Sequence, residues 1–164
     1  MHQAIVKLAG GVALALASGA ASAHWTTTNF EIAGPIQEVP GPMARCPSQF
    51  GGTVTGHGSS QVLGRVAFVA SDCITPNGVI YNFDRGRFII MTLSGDQIYA
   101  DYSGQFVPTG QGANYVFSGA SFRIVGGTGQ FMFATGGGQL TGSEDMVTGV
   151  GNIKLSGRIS YWAR

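Results

Sequence analysis

The stretch Gly86-Arg87-Phe88-Ile89-Ile90-Met91-Thr92-Leu93-Ser94-Gly95-Asp96-Gln97-Ile98-Tyr99-Ala100-Asp101-Tyr102-Ser103-Gly104-Gln105-Phe106 decides the fold class. Two runs rich in aromatic and β-branched residues flank Ser94-Gly95-Asp96, a tight-turn signal, and predict a hairpin of strands 86–94 and 97–106. In the second run polar and apolar residues alternate, the pattern of a half-buried strand. Gln97, Tyr99, Asp101 and Ser103 fall on one face, and Ile98, Ala100, Tyr102 and Phe106 on the other. The first run differs, because Phe88 to Leu93 is apolar on both sides. In an antiparallel sheet such a strand needs cover outside as well as inside.

The same rhythm continues in both directions. Short β-branched or aromatic runs broken by Gly, Asn, Asp or Pro predict further strands near 25–33, 50–58, 62–71, 78–83, 114–125, 137–142 and 149–161. After residue 23 no window carries the i, i+3, i+4, i+7 spacing of an amphipathic helix. The fold class is therefore all-β, and closure into a barrel removes exposed edges. Pro35, Pro40, Pro42 and Pro47 mark Gly34–Ser48 as a loop unable to join a central strand. The expected division is a signal peptide over 1–23, an N-terminal strand and Pro-rich loop over 24–49, and a barrel domain over 50–164.

Composition narrows the class. Hydrophobic residues make up 44% of the 164, which excludes a disordered chain, and 27 glycines follow no Gly-X-Y period. Only 10% of residues are charged, with nine Lys and Arg against eight Asp and Glu and no basic run. That balance gives no footprint for nucleic acid or an anionic membrane surface. Lys7, the apolar Leu8–Ala17 and Ala21-Ser22-Ala23 form a secretory signal with cleavage after Ala23, too short to span a bilayer. The location expected is secreted or periplasmic. In that oxidising setting Cys46 and Cys73 are expected to form a structural disulfide.

The segment Val125-Gly126-Gly127-Thr128-Gly129-Gln130-Phe131-Met132-Phe133-Ala134-Thr135-Gly136 resembles the V-G-G-T-G-x-F-x-x-A-x-G segment of plant dirigent proteins. It is similar to the same region of bacterial secreted proteins related to allene oxide cyclase, and Gly56–Gly64 loosely resembles their early strand pair. The resemblance implies a single eight-stranded antiparallel β-barrel of calycin type, a homotrimer, and a cavity for a hydrophobic small molecule. Gln130 and Thr135 stand where dirigent proteins carry a basic residue and Arg, and no catalytic residue of either family matches a position here. From the residues alone, Phe131 and Phe133 are expected to plug the barrel mouth.

No G-x-S-x-G, H-E-x-x-H or EF-hand pattern occurs, so neither a nucleophile nor a metal spacing is evident, and no cofactor is expected. Pairing 97–106 with 114–125 puts Tyr99 and Asp101 on one face with Tyr115, Phe117 and Arg123. If that face points inward, these five form a ligand site, with Arg123 as counter-charge to Asp101; if outward, they are polar surface. Glu144-Asp145 reads as a solvated turn. His24, as the mature N-terminus, and His57 form a remote alternative as copper ligands. Three functions follow: a secreted barrel binding a hydrophobic or aromatic small molecule, a structural or surface-interaction protein with a filled barrel, or an isomerase or cyclase that acts by shaping its ligand. A ligand cavity needs roughly 300 Å³ or more, which separates them.

Overall fold

A computed structural model describes residues 23–163. The expected signal peptide lies outside the described residues. Eight strands follow in chain order: β1 (His24–Pro42), β2 (Phe50–Ser60), β3 (Gly64–Asn77), β4 (Ile80–Thr92), β5 (Gln97–Pro108), β6 (Asn114–Gly127), β7 (Thr135–Asp145) and β8 (Val150–Ala163). Each pairs antiparallel with the next, and β8 returns to β1, so the meander closes into a barrel. Among the described residues no helix is long and apolar enough to cross a membrane.

The sequence expectation differs most in two places. Runs 78–83 and 86–94 form one strand, β4, because Asp84-Arg85 makes a bulge against β5 rather than a turn. Arg85 takes the left-handed conformation there (φ 50°), and the strand continues past it. The Pro-rich segment is likewise strand. β1 runs through Pro35 to Pro42, is paired along its length, and belongs to the barrel rather than to a separate unit. Pro35 falls where the β1–β2 pairing lapses between Ala33 and Ile36. Glu38 N–H donates to Gly149 O at the turn after β7, so Pro40 and Pro42, of the same parity, aim their missing donors past the start of β8. Prolines are tolerated in a strand where no ladder bond is lost.

The interior is filled by side chains from every strand, with Ile32, Phe88, Ile90, Ile98, Leu155 and Ile159 fully buried. Phe88 packs on Tyr102 (ring centroids 4.3 Å apart) and on Phe68 (5.9 Å), and Phe83 on Phe106 (4.7 Å). At the terminal end of the barrel, where β1 begins and β8 finishes, Thr128 exchanges two hydrogen bonds with Gln97, Thr128 N–H to Gln97 O and Gln97 N–H to Thr128 Oγ1, each 2.9 Å. This pins a 3₁₀ turn, Gly129–Phe131, across the opening. Phe131 is 0% exposed against Tyr161, but Phe133 is 74% exposed, so only one of the expected pair plugs the end. In a strand residues i and i+2 share a face, whereas a three-residue turn puts them about 240° apart.

The predicted disulfide Cys46–Cys73 is present and ties the β1–β2 loop to β3. Val69, Ile89 and Met91 remain exposed on the outer wall, with Val69 and Ile89 paired across β3 and β4. The outer apolar side of β4 therefore has no cover among the described residues.

Candidate functional site: a buried carboxyl cluster

Alternation along three strands sends acidic side chains inward. β1 buries Ile32, Ile36 and then Glu38; β3 buries Val66, Phe68, Ala70 and then Asp72; β7 buries Leu140 and then Glu144. Glu38 and Asp72 take the next inward position after an apolar series, and Glu144 follows Leu140 with Gly142 between them. Their exposures, 4%, 2% and 4%, place all three beneath the barrel end formed by the loops after β1, β3, β5 and β7. A space of about 20 Å³ lies beside them, walled by Phe83, Phe88, Phe106 and Phe117. It has room for one water and far less than a ligand cavity requires.

Burial dominates the electrostatics. Desolvation penalises carboxylate charge and raises all three groups above the ordinary range. Asp72 is pushed up to about 7, chiefly by burial, with the neighbouring Glu38 carboxyl acting in the same direction. Tyr102 Oη donates a 2.7 Å hydrogen bond to Asp72 Oδ2, which, with the Gly52 amide and the Arg45 charge, acts in the opposite direction. Burial raises both Glu38 and Glu144, and the neighbouring Glu144 carboxyl raises Glu38 further than its partner, so Glu38 is the one that holds its proton. Gly52 makes room for this arrangement, since a Cβ there would overlap the Glu38 carboxyl. Glu38 Oε1, Asp72 Oδ1 and Glu144 Oε2 are buried without a hydrogen-bond partner among the described residues. The cluster thus holds both a proton and unsatisfied acceptors at the rim of an apolar space.

The five predicted ligand residues divide. Tyr115 and Phe117 point inward at this end, Tyr115 against Tyr81 (5.8 Å) and Phe117 against Phe106 (5.3 Å). Tyr99, Asp101 and Arg123 lie on the outer wall, where Arg123 and Asp101 form an exposed ion pair at 3.3 Å. A bulge in β6 separates the two groups: Ser103 pairs with Ser121 but Gln105 with Ser118, and Gly119 (φ 57°) takes the extra position. The parity of β6 reverses there, so Phe117 faces in and Arg123 out. Glu144 was expected in a solvated turn and is buried, because β7 runs to Asp145, three residues beyond its predicted end. Asp145 alone behaves as a turn residue, accepting from the Val147 and Thr148 amides. His24 starts β1, and His57 on β2 stands opposite position 35, so the two are separated by about 35 Å of strand. Among the described residues no three His, Cys, Asp or Glu side chains are placed to hold a metal ion.

No family model matches this chain. No curated protein matches it in sequence. Among solved structures it is similar to the pterocarpan synthase dirigent protein GePTS1, with 13% identity, TM-score 0.44, and coverage of 96% of this chain and 100% of that one. The barrel assignment rests on the strand pairing of this chain itself.

Proposed function

We propose that this barrel is a secreted or periplasmic protein that takes a small, flat, largely apolar molecule bearing a hydroxyl group into the end lined by Phe83, Phe106 and Phe117. The observation that carries this reading is the buried carboxyl cluster with one unpartnered oxygen on each of its three members. Buried acids without full hydrogen bonding destabilise a fold, and an inert core has no use for them. A hydroxyl donor would satisfy such an oxygen, and the proton on Glu38 would be available to a bound acceptor. Because the free space is only about 20 Å³, a guest must displace side chains that line it.

Phenol and toluene distinguish the contribution of the hydroxyl. In two-dimensional amide NMR, phenol at millimolar concentration is expected to shift residues around 38, 52, 72 and 144 far more than toluene does. The second reading, a filled barrel acting only through its surface, is favoured by the small free volume. Absence of any interior shift with phenol would establish it and end the binding proposal.

A further inference from the structure

Of the nine Lys and Arg residues in the chain, four line one groove on the outer wall, of about 690 Å³. They are Arg45 from the β1–β2 loop, Arg85 and Arg87 from β4, and Arg123 from β6. They come from three separate segments, which is why the sequence shows no basic run. Asp84 and Asp101 also line the groove, leaving an excess of two positive charges in a chain that is otherwise nearly balanced.

The groove is ordered. Arg87, Asp101 and Arg123 are register partners across β4, β5 and β6, so the backbones at Arg87 and Arg123 stand about 10 Å apart. Asp101 between them is engaged by Arg123. Arg45 is fixed from above, donating to Arg85 O and Ser71 Oγ at 3.0 Å each. Arg85 and Arg87 have no such partner among the described residues. The Ser103 and Ser121 hydroxyls, themselves register partners, form a neutral polar strip in the same groove.

We propose that this groove binds an acidic carbohydrate chain, with carboxylate or sulfate groups on the guanidiniums and sugar hydroxyls on the serines and aspartates. Guanidinium groups recognise oxyanions through paired hydrogen bonds. A single compact anion cannot reach cations 10 Å apart with a carboxylate between them, whereas an extended ligand carrying spaced acids can. Asp84 and the second oxygen of Asp101 can accept from hydroxyl donors, which a sugar supplies and a regular row of phosphates does not. The groove lies outside the barrel wall, so the proposal is independent of interior binding.

Calorimetry on the full secreted chain with alginate, dextran sulfate and neutral dextran tests it. At low salt, alginate or dextran sulfate is expected to bind and neutral dextran is not, and whichever acidic polymer binds identifies the acid group. Binding should weaken severalfold as NaCl rises from about 50 to about 200 mM. The double variant Arg85→Gln/Arg87→Gln should lose at least about tenfold in affinity, while Arg158→Gln on β8 binds as the parent does. Arg87→Gln alone, in the regular part of β4, should lose affinity in the same direction if the double variant does not fold. No binding of either acidic polymer, unchanged affinity in the arginine variants, or single-stranded DNA binding as tightly as the polysaccharide would each overturn the proposal.

Discussion

Raising the pH from about 4 to about 8 should destabilise this protein, opposite to the behaviour of a domain held together by surface ion pairs. Folded Asp72 keeps its proton up to about pH 7, whereas the ordinary value is 3.8. Between these values the folded state binds the extra proton, so unfolding stability falls as pH rises through the interval. The contribution is complete below about pH 4 and lost above about pH 7. The separation corresponds to on the order of 4 kcal/mol, a large share of the 5–15 kcal/mol typical of a domain. Glu38 and Glu144, raised by the same burial, act with the same sign. Asp145 acts oppositely, since the Thr148 amide lowers it, but its effect belongs to the acid end below this window. Tyr102 is raised well above 10 and stays neutral throughout. Urea unfolding with the disulfide intact, repeated at pH 4, 5, 6, 7 and 8, measures the slope. Asp72→Asn removes the titrating proton while leaving an oxygen to accept from Tyr102, and should flatten much of the decline. A parent profile that is level or rises across this range would refute the assignment of a buried, protonated cluster.

Three further outcomes are expected. Removing the Cys46–Cys73 disulfide, which closes a separation of 27 residues, should cost about 3 to 4 kcal/mol in urea unfolding, and an unchanged midpoint would show the loop to be held by other means. Phe131→Ala should cost about 3 to 5 kcal/mol and Phe133→Ala less than about 0.5, so equal effects would contradict the single-plug arrangement at the terminal end. Light scattering should give three times the monomer mass, with Val69, Ile89 and Met91 supplying the apolar contact, and a monomer mass at micromolar concentration would defeat the trimer.

Alternation by itself determined the fold class and the buried face of β5. Ile98, Ala100 and Tyr102 were assigned to one face from period-two patterning alone, and all are buried. Patterning works there because each strand faces one apolar interior, so every second residue meets the same solvent or the same core. It failed where the period was interrupted. The Gly119 bulge divided Tyr115 and Phe117 from Arg123, and the Arg85 bulge looked like a turn because the same residue types serve both conformations. The carboxyl cluster was partly legible. Extending the β7 alternation from Leu140 by four residues places Glu144 inward, but an acidic residue beside Asp145 carries the stronger local signal of a turn. That Glu38, Asp72 and Glu144 meet depends on closure of β1 on β8, which brings together residues up to 106 positions apart in sequence. The arginine groove has the same origin, since register between β4, β5 and β6 aligns charges that are dispersed along the chain. Local periodicity reports what each strand faces. Only the register between strands decides which side chains face one another, because that depends on where bulges shift the pairing and on where the barrel closes.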